Sequence, residues 1–462
     1  MTSGFRIRLV ATTTIAILAL GSHSTVALEL ASGPWPMFGQ NASLTHRSPF
    51  VGPTTGDFLT PTDIPAGALG NMSVTPDGLI VFGAGFSHFG VRADGTILWH
   101  AVINATPRLS SPTIASDGSF FIGDRANDVK KSRVEDGVME CFARVAKLDG
   151  DVQGSPTISV QYPDRIYYGE AGVQGGFFAV RMDGPEPCQL IWRLPPAYVP
   201  NGPAPQRGEK IPASPSGVAL ADSVPGNGDQ SVIVYFARGR IYKIVDHGDH
   251  GEIIAQRDLR ASAQGPSPMV DPATGNIYVG TKSRRFYALK PDLTDLFPPV
   301  KLDGPVRATA ALSPDGRTVY SLTTFGGLWA LDSQTGAVRP GFPRFIGRGN
   351  GKSVRAQSPV VDAAGTVYAT ATDGTVQAFL PDGTTLWQTR VEGHIWHSPT
   401  IVNGGLLVIS LFEDPYFYYD QQGTRVLVEG RSKLYRFCPA PVGPPEALQV
   451  CGFTVDTTVS PP

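Results

Sequence analysis

A surplus of charge of either sign is missing from this sequence. Lys and Arg number 38 against 40 Asp and Glu in 462 residues, and charged residues make up only 17% of the chain. Binding to nucleic acid through its phosphates needs a basic excess, so that class of partner is not expected. Long apolar runs are missing as well. The uncharged stretch from Leu9 to Leu20 has 12 residues, short of the roughly 18 or more that span a bilayer. No membrane span is expected. That stretch follows Arg6 and Arg8 and leads to Thr25-Val26-Ala27, a small-x-small cleavage pattern, so residues 1–27 read as a secretory signal peptide. Its removal takes away two arginines and no acid, leaving 36 basic against 40 acidic residues.

Cysteine is scarce. There are four, Cys141, Cys188, Cys438 and Cys451, and none stands at the cleavage site where a lipid anchor would attach. The chain is therefore expected to be exported, periplasmic or secreted, without a lipid anchor, and monomeric. An even number of cysteines in an exported chain points to disulfides. Cys438 and Cys451, 13 apart in a Pro-rich tail, are the candidate pair. Cys141 and Cys188 each stand four residues after the glycine of an Asp-Gly turn, at equivalent points of neighbouring repeats. Neighbouring sheets lie roughly 10 Å apart, beyond the roughly 7 Å Cα limit of a disulfide, unless Pro185 and Pro187 bend the strand across. Both outcomes stay open for that pair.

Several catalytic signatures are absent: HExxH, GxSxG, a vicinal Cys-Cys pair and Cys-x-x-Cys-His. The stretch GRGNGKS, residues 347–353, has Ile346 where a phosphate loop needs its first glycine, and the strand-like VRAQSPVV follows it where a helix should. It reads as a connection.

What is abundant is turn chemistry, with 53 Gly and 41 Pro, which makes long helices improbable and short strands the expectation. The strands repeat. A small residue, then Pro or another small residue, two apolar residues and a Gly turn recur as NMSV at Asn71, SPTI at Ser111, SPTI at Ser155, SPSG at Ser214, SPMV at Ser267, TAAL at Thr309, SPVV at Ser358 and SPTI at Ser398. Intervals of 40 to 59 residues match a four-stranded propeller blade with some loop insertions. Each unit continues through runs such as GNIYVG and RFYALK, and three end in GTILW, CQLIW or GTTLW. The eighth unit stops at RSKLYRF without a fourth strand, and TGDFLTPTDI near residue 55 stands before the first unit as GTTLWQTRV stands before the last. The expectation is an all-β protein: an eight-bladed β-propeller of four-stranded antiparallel blades, closed by an N-terminal strand in the last blade. Its parts are a lead-in at 28–54, the propeller at 55–438 and a Pro-rich C-terminal tail at 439–462.

The stretch SPVVDAAGTVYATATDGTVQAFLPDGTTLW resembles the repeat of the PQQ-like, quinoprotein-type propellers, and WPMFGQNASLTHRSPFVGP at Trp35 resembles the lead-in that often precedes it. The resemblance spans nearly the whole mature chain. It implies the propeller fold, while its functions diverge: the family includes quinone-cofactor dehydrogenases, the outer-membrane assembly factor BamB and exported proteins of unknown role. For a dehydrogenase it would imply PQQ and calcium. With no vicinal cysteines, no haem motif and no acidic cluster, no cofactor, metal site or catalytic residue is assigned.

Strand parity sorts the remaining motifs. In a four-stranded antiparallel blade the first-to-second and third-to-fourth turns share one face, the second-to-third and blade-to-blade connections the other. HGDH (His247–His250) falls on the former face and HIWH (His394–His397) on the latter, so the two pairs share no metal, and HGDH is favoured as a hairpin turn. Asn41 and Asn71 begin glycosylation sequons too short to weigh. The blade-to-blade connections carry Arg108, Lys210, Arg260, Arg307, Lys352 and Arg355, with His394 and His397 in the last, while Glu209 and Glu392 offset part of this charge. The connection from Leu411 to Lys433 contains DPYFYYDQQGTRVLVEG, an inserted hairpin bearing Tyr416, Phe417, Tyr418 and Tyr419 on the same face, and the Pro-rich 195–205 leaves from it too. The expected function is an exported scaffold for binding or assembly that meets a protein or anionic polymer with this face. Arg108, Arg307 and Arg355 would supply charge, Trp396 and the aromatic cluster apolar contact, and His394 and His397 would be rim groups. The alternative is an enzyme, a divergent quinoprotein dehydrogenase or a polymer-acting enzyme at the channel mouth.

Overall fold

The computed structural model describes residues 28–458 apart from 104, 108–109, 127, 145–153, 171–175, 185–186, 195–216, 222–231, 238, 261–265, 348–356, 421 and 423. Residues 1–27, read above as a signal peptide, and Arg108, Lys210, Lys352, Arg355 and residues 195–205 lie outside the described residues. Eight four-stranded antiparallel sheets form the blades of an all-β propeller. Blade 1 runs Ser73–Val74, Ile80–Ala84, Ser87–Val91, Ile97–Val102, and the next six follow the same order.

Apolar character fades outward along each blade, as burial requires. In blade 1 every residue of the first three strands is buried, while the fourth alternates. The fourth strand of blade 4, Gly251–Asp258, alternates along its whole length, half-buried against exposed. Tyrosines recur opposite the inner strand, where Tyr167, Tyr278, Tyr320 and Tyr368 pair with Thr157, Met269, Ala311 and Val360. They are buried in the core, so their hydroxyls seek partners. Tyr278 donates to the Ser333 carbonyl at 2.9 Å and Tyr368 to Asp362 at 3.1 Å. The tryptophans of the fourth strands reach sideways: Trp99 donates to the Val134 carbonyl of blade 2 and Trp192 to Asp246 of blade 4.

The small residue that opens each repeat has an architectural task. Asn71 donates to the Ser111 hydroxyl at 3.0 Å, the Ser111 amide to the Ser155 hydroxyl at 3.0 Å, and the Thr309 amide to the Ser358 hydroxyl at 2.9 Å. The Ser398 amide returns to Asn71 at 2.8 Å. Among the described residues, a short polar side chain at this position ties each of these inner strands to its neighbour. Blade 4 corrects the register: its inner strand is Ala219–Leu220, and the Gly217 amide donates to the Ser267 hydroxyl at 2.6 Å. The repeat starts at Gly217, three residues after the expected Ser214, because the inserted connection carries a decoy Ser-Pro.

In the eighth sheet, Thr400–Val402, Gly405–Glu413 and Arg431–Phe437 are followed by Thr62–Ile64, with Thr62 opposite Leu434 and Ile64 opposite Ser432. The tail is more than a Pro-rich coil. It forms a hairpin, Leu448–Val450 with Phe453–Val455, tied by Cys438–Cys451 and seated with Phe453 against Gly78 of blade 1. Cys141 and Cys188 are also bonded, with Cα atoms 6.0 Å apart. Cys188 escapes the sheet spacing because it stands just before the strand Gln189–Leu194, in a turn with φ of 60°.

The lead-in does more than precede the ring; it crosses it. Backbone amides at the ends of six inner strands, Val74, Ile114, Leu220, Val270, Leu312 and Val361, donate to the carbonyls of Trp35, Pro36, Ala42, Ser43, Thr45 and His46 at 2.8–3.0 Å. Gly404 of blade 8 donates to Val51, and the Leu28 amide to Pro163 of blade 3. Trp35, Met37, Leu44, Thr45 and His46 are each at most 2% exposed. One chain segment therefore satisfies the inward-facing edges of the ring and fills the channel at the face of the first-to-second turns.

Candidate functional site

The two faces differ as parity requires. HGDH closes the hairpin between Arg240–Asp246 and Gly251–Asp258, with the His247 amide donating to the His250 carbonyl at 2.9 Å. Its histidines are spent locally: His247 lies 2.9 Å from Glu252 and His250 2.7 Å from Asp249. Tyr162, in the first-to-second connection of blade 3, donates to the Asp246 carbonyl beside it, so this motif belongs to the face that the lead-in fills.

HIWH belongs to the other face. The His394 backbone exchanges two hydrogen bonds of 2.8 Å with Leu411, and its Nδ1 lies 2.9 Å from the Thr372 carbonyl. His394 is exposed and Trp396 half-buried. His397 departs from the expected rim role. It is 2% exposed, neither ring nitrogen has a hydrogen-bond partner among the described residues, and burial lowers its pKa to about 4. The ring turns into the inner layer and stays neutral. Glu392, expected to offset the connection charges, instead pairs with Lys433 at 3.0 Å.

Arg307 is exposed on this face, beside Lys282, whose pKa is lowered by burial and then by the Arg307 charge. Arg284 lies over the Phe325 ring at 5.4 Å. These cations top blades 5 and 6. Tyr416–Tyr419 forms a hairpin with Arg425–Val428, and its four aromatic side chains are 56, 50, 48 and 66% exposed. The base of this hairpin is fixed to blade 1: Glu429 accepts from the Phe86 amide at 2.7 Å, and the Gly67 amide donates to the Glu429 carbonyl at 2.6 Å. Aromatic cluster and Arg307 thus stand on opposite sides of an eight-fold ring. The structure brings Tyr416 and Phe417 together with Phe86, Arg125 and Arg425 around a cavity of about 490 Å³, and leaves Arg307 and His394 out of it.

Sequence reasoning missed Phe86, Arg125 and Arg425. Arg425 carried a readable signal, since the turn that follows Asp420 places it opposite Tyr419. Its guanidinium lies 4.4 Å from the Phe417 centroid and 5.8 Å from that of Phe86. Beside the cavity runs a buried polar seam between blades 1 and 2. Lys130 pairs with Asp124 and lies 3.9 Å from Asp128, which Arg144 also meets at 3.1 Å. Burial lowers the Lys130 pKa to about 8, with Arg144 adding, and lowers that of His88 to about 3, with Lys130 adding.

A second cavity, about 810 Å³, opens on the filled face between blades 1 and 2 and the tail hairpin. Its charges are mixed and largely matched: Lys131 lies 3.6 Å from both Asp117 and Glu140. No three His, Cys, Asp or Glu side chains converge as a metal would require among the described residues, and both cysteine pairs serve as blade or tail links. No helix among the described residues is long and apolar enough to cross a membrane.

Neither a family model nor a curated protein matches the sequence. Solved structures do. BamB from Moraxella catarrhalis aligns over 82% of this chain and 100% of its own, with 15% identity and a TM-score of 0.58. The quinohemoprotein alcohol dehydrogenase of Comamonas testosteroni aligns over 89% and 81%, with 11% identity and a TM-score of 0.61. A europium-containing methanol dehydrogenase aligns over 88% and 98%, with 12% identity and a TM-score of 0.62. At these identities the likeness is one of fold: a PQQ-like propeller that resembles BamB in architecture.

Proposed function

We propose that this chain is an exported scaffold that binds a protein partner of the envelope or the extracellular space through the face of its blade-to-blade connections. The observation that carries this reading is the asymmetry of the ring. The lead-in fills the channel at one face, and the other presents a fixed hairpin with four exposed aromatic side chains. An exposed aromatic cluster held on a rigid base is the composition of an interaction surface. Two disulfides suit an oxidising compartment, and the likeness to BamB supports a protein partner.

The test is capture from the native envelope and culture medium. Variants Tyr418→Ser with Tyr419→Ser, and Arg307→Gln, are compared with parent and with Arg339→Gln on the filled face. Partners lost with the first two and kept with the third support the reading. A partner set unchanged by every loop-face variant overturns it. Stoichiometric uptake of PQQ with calcium, read as a change in visible absorbance, would favour the dehydrogenase reading instead.

A further inference from the structure

The cavity beneath the hairpin is cationic in a chain that is not. Arg125 comes from the second-to-third connection of blade 2, Arg425 from the hairpin, and Phe86, Tyr416 and Phe417 supply apolar walls. No carboxylate is among its lining residues, although acids outnumber bases in the chain by 40 to 38. Three acids of the hairpin and its base are committed elsewhere. Glu429 holds the Phe86 amide, Glu413 pairs with Arg431 at 2.6 Å, and Asp420 caps its own turn through the amides of Gln422 and Thr424. Among the described residues no acid pairs with Arg425, which meets only the two rings. A guanidinium laid flat on an aromatic ring keeps its donor fork free at the edge, pre-set for a carboxylate.

We propose that this cavity receives an acidic side chain from an extended peptide of the protein partner. The inference rests on the scaffold reading and supplies the chemistry of its contact. A peptide fits better than an acidic polysaccharide because the strand that walls the cavity, Tyr416–Tyr419, is paired on one side only among the described residues, in a two-stranded sheet. Its open edge offers backbone donors and acceptors at the spacing of another strand. Side chains of a peptide laid there alternate, so a carboxylate directed to Arg425 alternates with residues passing over the exposed rings. A sugar chain has no amide ladder to match that edge.

The experiment uses the full mature chain and a synthetic array of ten-residue peptides in which each position samples Glu, Gln, Lys, Phe and Ser, with oligogalacturonate as the polysaccharide probe. The expected result is retention of peptides with Glu flanked by Phe, and about tenfold weaker binding when that Glu becomes Gln, as for loss of one charge-assisted contact. Arg425→Gln should weaken the acidic peptides about tenfold, and Arg425→Glu should shift retention to Lys peptides. If Arg425→Gln lowers the melting temperature, Arg125→Gln gives the same readout from another blade. Equal binding of Glu and Gln peptides, no response to either arginine, or capture of oligogalacturonate in preference to every peptide overturns the proposal. A partner still lost with Tyr418→Ser and Tyr419→Ser while Arg425→Gln changes nothing would leave the scaffold reading standing and remove this pocket. The array result without any loop-face dependence in the capture experiment would do the reverse.

Discussion

The two faces of the ring are made from the same repeat and end up as opposites. On one, inner-strand amides are answered by the lead-in, and Trp35, Met37, Leu44 and His46 are sunk into the packing. On the other, Arg307 and His394 are exposed and the side chains of Tyr416–Tyr419 are about half exposed or more. A propeller channel leaves its inner strands with unpaired backbone groups, and burying those without partners costs free energy. The lead-in settles that cost at one mouth and makes it the structural end. The exposed aromatic cluster Tyr416–Tyr419 then stands at the opposite end.

The largest test of this contrast is to remove the plug. Deleting residues 28–53 strips acceptors from six inner strands and removes the buried side chains of Trp35, Met37 and Leu44. Each buried apolar side chain stabilises by about 1.5–3 kcal/mol and each orphaned buried amide costs about 1–3 kcal/mol, against a typical margin of about 5–15 kcal/mol. The expected outcome is loss of the folded monomer, seen by circular dichroism and gel filtration. Extending the deletion to residue 68 also takes Thr62–Ile64 from the last sheet, leaving an open edge, and should add oligomerisation. A monomer with the parental melting temperature would show that this face does not depend on the lead-in.

Point substitutions sharpen the same contrast. Trp35→Ala should cost about 3–5 kcal/mol, the range for a large buried side chain. Tyr418→Ser should change stability by less than about 0.5 kcal/mol, as is usual for exposed positions without structural contacts. Urea midpoints measure both. Comparable losses would mean that the hairpin is part of the core architecture.

How much of this was legible follows from where the information resides. The blades were readable because burial writes alternation and turn residues into every strand, as in Gly251–Asp258, and the hairpin because DPYFYYDQQG interrupts the period. The plug was not. The groups that bind it to the blades are backbone carbonyls of Trp35, Pro36, Ala42, Ser43, Thr45 and His46, and carbonyls leave no side-chain pattern. His397 was misplaced because parity gives the face of a connection and not the depth of each residue in it. The cavity escaped notice because its walls come from three distant stretches, at Phe86, Arg125 and Arg425, joined only when blade 8 meets blade 1.

The tail provides a smaller effect confined to the filled face. Cys438–Cys451 closes a loop with a sequence separation of 13, and a loop of this size restricts the unfolded chain by about 3 kcal/mol in the entropic account. Replacing both with Ser should lower stability by up to that amount and free Phe453 from Gly78, while peptide binding at the loop-face cavity stays unchanged. Altered peptide binding would show that the two faces communicate through blade 1. Free thiols at both positions in oxidised, unreduced protein would reject the pair.

The gentlest probe is pH, because both faces hide neutral histidines. Burial lowers the pKa of His46, in the plug against Phe38, to about 3, and that of His397, behind the opposite face, to about 4. The ordinary value is 6.5 for each. Between 6.5 and these depressed values the unfolded chain binds protons that the folded chain refuses, so their linked contribution to stability is complete above pH 6.5 and falls as pH drops. The slope is about 1.4 kcal/mol per pH unit for each such histidine. Urea midpoints at pH 7 and pH 5 should therefore fall in the parent, and His46→Leu and His397→Leu should each flatten the fall by one histidine's share, whatever either substitution does to stability at pH 7. A parental slope in His46→Leu would mean that water reaches the plug, and the same result in His397→Leu would return that ring to the rim. One variant flattening without the other would therefore say which end of the channel is dry.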